Sequence, residues 1–215
     1  MLKVKHIALI TICALFAGCE TAYYNAWEKV GVHKRDILVD RIEDTQEAQE
    51  DTQEQFKDAL EQYRAVVNFD GGNLERLYNK LNAEFEDSEE AAGEIAERIA
   101  AVEDVAEDLF DEWREELKLY KNERLRRDSE RKLNATKTQY RELLASMRRA
   151  EKSVHPVLDT LRDQTLYLKH NLNARAIDSL KGELTRIDAD VNRLIAEMQR
   201  SIDEANRFIN KIKEG

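Results

Sequence analysis

The sequence has two cysteines, and Cys19 is the one whose neighbours indicate a covalent modification of its thiol. It ends the stretch Leu15-Phe16-Ala17-Gly18-Cys19, in which two small residues precede the cysteine, as a peptidase that cuts just before it requires. Two lysines near the start and an apolar run from residue 7 to 16 complete the order of an export signal, and the run is too short to span a bilayer. We therefore expect residues 1–18 to be removed as a signal peptide, which makes Cys19 the first residue of the processed chain.

This arrangement resembles the lipobox of bacterial lipoproteins, and the resemblance implies three acyl chains, palmitate among them, on Cys19. Two or more chains anchor a protein stably, whereas one chain binds a membrane only marginally. Glu20 stands where Asp is the usual signal for retention in the inner membrane, so we expect the periplasmic face of the outer membrane, with the inner membrane as the less favoured alternative. Residues 19–35 would then form a lipidated N-terminus and linker. An ordinary secretory signal, with Cys19 incidental, is the other interpretation.

The remaining residue types that could do chemistry are not arranged for it. Cys13 lies inside the signal, so the processed chain has no thiol for a disulfide, a zinc site or a nucleophile. His33, His155 and His170 are isolated, and none lies three residues after a glutamate, which is the spacing of di-iron bundles. The sequence contains no His-Glu-x-x-His, Walker or Gly-x-Ser-x-Gly motif. We expect a protein that is not an enzyme and that needs no cofactor or metal.

The composition is acidic and rich in charge. The sequence has 44 acidic and 34 basic residues, and removal of the signal takes away two lysines and no acid. Nucleic-acid-binding proteins need a basic footprint, so nucleic acid is not an expected partner. With one proline and seven glycines in 215 residues, the composition is typical of long helices and coiled coils.

Apolar residues repeat with heptad spacing over most of the chain, which predicts long helices with narrow apolar faces. We predict helices over residues 36–68, 74–153 and 156–213. Thr45, Gln49 and Thr52 lie in the middle of the first seam, so this helix needs partners on more than one side. The full seam is Leu38, Ile42, Thr45, Gln49, Thr52, Phe56, Ala59, Tyr63 and Val66.

Turn residues separate the predicted helices. Gly71 and Gly72 tolerate the positive φ that ends a helix, and Asn73 can cap the next one. Pro156 suits the first turn of a helix, so the second boundary is placed there.

Two further boundaries stay open. Leu125 is the only large apolar residue between 121 and 132, so a turn near 121–129 is the alternative to one continuous helix. The apolar phase also slips at 171–175, where a kink or loop is compatible with the pattern. The predicted fold is all-α: an elongated antiparallel helical bundle or coiled coil of three to four long helices, with its body at residues 36–213.

Charge is segregated along the second predicted helix. Residues 84–116 hold fifteen acids and two arginines, whereas residues 118–152 hold twelve basic residues and five acids. A solvated helix that complements its dipole is one interpretation, although the dipole acts only within the end turns. Because the hairpin register brings the anchored N-terminus close to the basic stretch, the other interpretation is a membrane or partner contact. Its candidate residues are Lys121, Arg124, Arg126, Arg127, Arg131 and Lys132, and the candidate tip contact is Phe69, Asp70, Gly71 and Gly72.

Four stretches carry a resemblance to a known family: YYNAWEKVGVHKRDILVDRIE (23–43), VVNFDGGN (66–73), AVEDVAEDLFDEW (101–113) and LKHNLNARAIDSL (168–180). On these stretches the chain resembles an uncharacterised family of Gram-negative lipoproteins known as domain of unknown function 2959. The resemblance implies a lipoprotein with a coiled-coil body and implies no activity. Cys19 is the only functional residue that it carries over.

The function expected from the sequence is that of a membrane-anchored periplasmic lipoprotein with a coiled-coil scaffold or interaction role in the cell envelope. Its expected partners are the membrane, through the N-terminal acyl chains, and an envelope protein or a second copy of itself. The alternative is a helical bundle that binds a lipid or small ligand where the seam loosens near Leu125 or Leu172.

Overall fold

The computed structural model describes residues 33–214, which form four long helices: α1 (Lys34–Val67), α2 (Leu74–Leu117), α3 (Glu123–His170) and α4 (Ala174–Glu214). Helix accounts for 92% of this range, and no strand occurs within it. The all-α prediction is therefore confirmed. The predicted signal peptide, Cys19 and most of the predicted linker lie outside the described residues.

Successive helices run antiparallel and close a four-helix bundle. α1 packs against α2 and α4, and α3 packs against the same two helices. At one end of the bundle Lys34 Nζ of α1 lies 3.4 Å from Glu112 Oε2 of α2. Toward the other end the Tyr63 hydroxyl of α1 donates to the Leu180 carbonyl of α4 at 2.9 Å. These contacts confirm the elongated antiparallel bundle, and they confirm that α1 has partners on two sides.

The heptad seams of the four helices meet in one core. Every residue of the predicted α1 seam is buried, including the polar residues Thr45, Gln49 and Thr52. Because most of the stability of a helix in a protein comes from packing of its apolar face, burial of these faces holds the helices in place. The other helices contribute Leu81, Ile95, Ile99, Val102, Leu143, Met147, Leu161, Ile187, Leu194, Met198 and Phe208.

The first turn forms where the glycines predict it. Gly71 has φ of 138° and Gly72 has φ of 109°, a region that side chains with a Cβ rarely occupy. Asn73 then caps α2, since its side chain accepts a hydrogen bond from the Arg76 amide at 2.9 Å.

The prediction of one helix over residues 74–153 is wrong. α2 ends at Leu117 and α3 begins at Glu123, so the turn that the sequence left as an alternative is the one that forms. Its physical cause is the loss of the apolar stripe: with Leu125 as the only large apolar residue from 121 to 132, a continuous helix has nothing to bury there. Asn122 supplies the cap that starts α3.

The helix boundary predicted at Pro156 is also wrong. Pro156 lies inside α3 on its exposed side, so water can solvate the carbonyl that loses its helical donor. The break falls instead at Asn171–Asn173, within the stretch where a kink or loop was expected. Asn173 caps α4 there by accepting hydrogen bonds from the amides of Arg175 and Ala176 at 3.0 and 3.2 Å.

Candidate functional site

The six predicted basic residues all fall within one helical hairpin at an end of the bundle. We call residues 118–132, which form the α2–α3 turn and the first turns of α3, the basic hairpin. Lys34, the first residue of α1, lies beside Glu112 just before this hairpin. A groove of about 300 Å³ at the same end is lined by His33, Trp113 and Ile212, so the start of α1 and the end of α4 lie there too.

Local hydrogen bonds hold the turn of the basic hairpin in a defined shape. The Leu119 amide donates to the Glu116 carbonyl at 2.9 Å and closes the end of α2. Asn122 Oδ1 accepts from the amides of Arg124 and Leu125 at 3.0 and 3.2 Å, which caps α3. These caps satisfy backbone groups that the helix ends would otherwise leave unpaired.

A side-chain hydrogen bond joins the two arms of the hairpin. Trp113 Nε1 of α2 donates to Ser129 Oγ of α3 at 2.8 Å, and both side chains are partly buried. Since an indole N–H that loses water needs a partner, this bond favours one spacing of the arms.

The charges of the hairpin are partly compensated on its own surface. Arg126 lies 2.9 Å from Glu123 and 3.7 Å from Glu130, and Arg131 lies 2.7 Å from Asp128. The hydrogen bond and charge of Arg126 lower the pKa of the Glu123 carboxyl. The hairpin still holds seven basic residues against three acids. The candidate residues therefore share one surface, but Arg126 and Arg131 contribute less net charge to it than the sequence count implies.

Two of the predicted cations are left free to meet an external charge. Lys121 lies in the turn and Arg124 in the first turn of α3; both are exposed, and neither makes an ion pair with a residue in 33–214. Arg127 is exposed as well, and its Nε donates to the Glu123 carbonyl at 3.3 Å. The basic surplus of the hairpin is thus concentrated at its turn.

Large apolar side chains stand among these charges, which the sequence interpretation missed. Leu119 is 77% exposed, Leu125 is 53% exposed and Tyr120 is 40% exposed. A continuous helix would have put Tyr120 in the buried seam, and only the turn brings it to the surface. The sequence did indicate that the helix is interrupted here, because the heptad pattern of apolar residues is lost around Leu125. Because Leu125 faces solvent, it does not line a ligand cavity in the bundle.

The opposite end of the bundle carries the predicted tip contact. Phe69, Asp70, Gly71 and Gly72 form the α1–α2 turn, and the α3–α4 turn lies beside it. The two turns line an open groove of about 470 Å³ whose apolar lining includes Phe69, Leu74, Leu172 and Ile177. The four predicted residues are therefore together, and Leu172 joins them.

The residues considered for other chemistry are dispersed. His33 precedes α1, while His155 and His170 are both exposed on α3. Within residues 33–214, no three histidine, cysteine or acidic side chains are grouped so that they could hold a metal ion. In the same range no helix is apolar over enough of its length to cross a membrane.

Comparison with known proteins identifies a family. A family model described as "Protein of unknown function (DUF2959)" matches residues 23–212. No curated protein and no solved structure matches the chain.

Proposed function

This chain belongs to the DUF2959 family of proteins of unknown function, and we propose that it is a lipid-anchored lipoprotein of the bacterial cell envelope with a scaffold or interaction role. Acyl chains on Cys19 hold it on the periplasmic face of the outer membrane. The four-helix bundle extends from that anchor and contacts an envelope protein, or a second copy of the chain, at its far end.

The observation that carries this proposal is the separation of two unlike ends. The chain enters α1 at the end that holds the basic hairpin, so a tether upstream of Lys34 pulls on that end. The glycine turn and the Asn171–Asn173 turn lie at the other end. α1 has 34 residues and α3 has 48, which correspond to about 51 and 72 Å. A body of this length supports a contact made well away from the anchoring membrane.

The character of the bundle also favours a structural role. Its buried polar residues are hydroxyls and amides within helix seams, such as Thr52, whose Oγ1 donates to the Ala48 carbonyl at 2.7 Å. Its ion pairs lie on helix surfaces, as between Lys118 and Glu115. These groups stabilise helices and helix pairs, and none is placed as a nucleophile beside a base.

Metabolic labelling tests the anchor. Cells that express the full chain are grown with labelled palmitate, and the protein is then isolated. We expect label on the wild type and on Cys13→Ala, whose changed residue leaves with the signal, and no label on Cys19→Ala. Label that persists in Cys19→Ala, or that is absent from the wild type, would contradict lipid attachment at this residue.

Membrane fractionation tests the location. The wild type is expected in the outer-membrane fraction, and Glu20→Asp is expected to move it to the inner-membrane fraction, because Asp at this position is the retention signal of the lipoproteins that the chain resembles. An unchanged distribution in the labelled Glu20→Asp protein would contradict sorting by this position.

Crosslinking in cells tests the contact at the far end. A photoreactive residue is placed at Asp70 in the tip, and the matched control carries it at Glu90, which is exposed on the side of α2. We expect a discrete adduct from position 70 and none from position 90. An adduct with a second copy identifies self-association, whereas equal crosslinking from both positions would refute a specific tip contact.

A further inference from the structure

We propose that the turn of the basic hairpin binds directly to an anionic lipid surface, with Leu119 and Tyr120 entering the headgroup region and Lys121 and Arg124 meeting lipid phosphates. This inference deepens the proposed function, on which it rests for the membrane involved, because it adds a second attachment that requires no acyl chain. This second attachment would fix the orientation of the bundle relative to the membrane, which a flexible lipid tether alone does not do.

The turn of the basic hairpin projects from one end of the bundle. The hairpin turn lies beyond Glu112, the residue that pairs with the first residue of α1. From Arg114 to Lys132 nearly every side chain is exposed; the ones that are less so are Leu117, Arg126 and Ser129. The turn is therefore an apex of the bundle, at the end where the chain enters α1. An apex fits against a surface that yields, such as the headgroup layer, better than it fits a flat rigid face.

The apex combines apolar and basic side chains. Leu119, with 77% of its surface exposed, is the most exposed large apolar residue among residues 33–214, and the next residue in the chain, Tyr120, is 40% exposed. Burial of leucine is favoured when it leaves water, and tyrosine is enriched at membrane interfaces, where its ring lies among the headgroups. Lys121 follows this pair directly and Arg124 lies three residues further on, and neither has an ionic partner within 33–214.

Charge also distinguishes this end of the bundle. The whole chain carries a formal net charge of −10, yet the apex from Arg114 to Lys132 has eight basic residues and five acids. A surplus of positive charge on an acidic protein identifies the surface that an anionic layer would attract, while the acidic sides of the bundle are repelled. The bundle would thus approach an anionic membrane with this end first.

Local hydrogen bonds order the apex in the free protein. Asn122 caps α3, and the Trp113–Ser129 hydrogen bond joins the two arms. The apolar and basic side chains are therefore presented together before any membrane is met, so binding loses little conformational entropy.

A vesicle-binding assay tests the inference without the lipid on Cys19. The core residues of the bundle lie between Leu38 and Ile212, so a chain that starts at His33 retains that core, and circular dichroism verifies its folding. Binding is measured by co-flotation with vesicles of phosphatidylglycerol and phosphatidylcholine in equal parts, and with vesicles of phosphatidylcholine alone. We expect binding to the anionic vesicles that weakens as salt is added.

Matched charge variants give the decisive comparison. Lys121→Gln/Arg124→Gln removes two cations at the apex, and each is expected to cost about fivefold in partitioning at low salt, which gives about 25-fold together. Lys57→Gln/Lys80→Gln removes two exposed lysines nearer the glycine turn and is expected to change binding by less than about twofold. If the two variants lose binding equally, the attraction is non-specific and the proposal is overturned.

Matched apolar variants test insertion. Leu119→Asn is expected to weaken binding by about tenfold, because the side chain no longer gains from leaving water. Leu166→Asn is the control, since Leu166 is 52% exposed on α3 toward the other end. An unchanged affinity in Leu119→Asn would overturn the insertion of this residue.

The two proposals fail separately. If palmitate labelling is negative but the chain from His33 binds anionic vesicles, the hairpin inference stands and the lipoprotein proposal does not. If labelling is positive but the vesicles are not bound, the hairpin inference is overturned. A photoreactive residue at position 119 of the full chain that crosslinks one envelope protein, with no vesicle binding, would assign this apex to a protein partner instead.

Discussion

Gln49 offers a sharp test of how the core of the bundle is held together. It is fully buried in α1, and its Nε2 donates to Ser201 Oγ of α4 at 3.0 Å. Its Oε1 has no hydrogen-bond partner among the described residues. The amide has therefore lost water on both atoms and recovered a bond on only one. We predict that Gln49→Met/Ser201→Ala makes the bundle more stable.

The size of the effect follows from two opposing contributions. A buried acceptor without a partner costs about 1–3 kcal/mol, which the methionine removes. The hydrogen bond that is lost contributes about 1 kcal/mol. Methionine has nearly the volume of glutamine, and Ser201→Ala removes the hydroxyl that would lose its partner, so little cavity and no new unpaired group is created. The free energy of unfolding should rise by up to about 2 kcal/mol, which corresponds to a rise in Tm of up to roughly 8 °C.

Urea unfolding followed by circular dichroism measures the change, with a constant m value showing that the same surface is exposed on unfolding. Thr52→Val is the matched control in the same helix. Thr52 Oγ1 already donates to the Ala48 carbonyl, so its removal should lower stability by up to about 1 kcal/mol. If Gln49→Met/Ser201→Ala lowers the unfolding free energy by more than about 1 kcal/mol, then Oε1 has a partner such as an ordered water, and the reasoning is wrong.

Three further predictions use the same unfolding assay. Pro156→Ala should raise the unfolding free energy by about 1–3 kcal/mol, because alanine restores a helical donor inside α3, and no gain would mean that α3 is not regular there. Asn122→Ala should lower it by about 1 kcal/mol through loss of the α3 cap, and Asn122→Asp should retain most of it. Burial raises the pKa of Tyr63, so the folded state keeps the phenolic proton where the unfolded chain loses it, and stability should fall as pH rises above about 10. In Tyr63→Phe that fall should be shallower, which a pH series measures, and an identical alkaline loss would contradict the assignment.

The first helix could be predicted almost completely from the sequence because its signal is local. Heptad steps of three and four residues fix which face is buried whatever the partner helices are, and the predicted 36–68 compares with an observed Lys34–Val67. The glycine pair that ends it was equally readable, since positive φ at Gly71 and Gly72 is a property of the residue type. α1 has two separate neighbours in a closed bundle. The only sign of this in the sequence was the group of polar residues in the middle of its seam.

Pro156 misled the sequence interpretation because a local penalty was given more importance than burial. A proline in a helix interior costs about 3 kcal/mol. Around it Val154, Val157, Leu158 and Leu161 are all buried, and each contributes about 1.5–3 kcal/mol when fully removed from water. Their sum outweighs the proline several-fold, so the helix continues. The true breaks at Lys118–Asn122 and Asn171–Asn173 contain no proline or glycine and could be located only by what the flanking helices bury.

The sequence predicted the basic residues of the candidate site but not its exposed apolar residues, because exposure depends on the position of the turn. Basic residues are counted without knowledge of the fold, so the hairpin cations could be named from the sequence. Whether a leucine or tyrosine is buried depends on where the turn lies. The turn takes Tyr120 out of the predicted seam and leaves it exposed at the apex beside Leu119. The ion pairs of Arg126 and Arg131 likewise depend on side-chain placement within a helix.

The location of the turn also accounts for the charge segregation that a helix dipole could not explain. The acidic residues 84–116 belong to α2, and the basic residues of 118–152 belong to α3 except Lys118 and Lys121, which lie in the turn. α2 and α3 lie antiparallel and in contact. Glu103 pairs with Arg148, and farther along α3 Arg162 Nη2 lies 2.6 Å from Glu89 Oε1. Partly exposed pairs of this kind contribute little to stability, about 0–1 kcal/mol each. Their stronger effect is on the choice of neighbour, because pairing two such acidic segments, or two basic ones, would place like charges together. The change of sign in the sequence therefore marks the turn itself, and Lys121 and Arg124, which lie close to it, make no ion pair with a residue in 33–214.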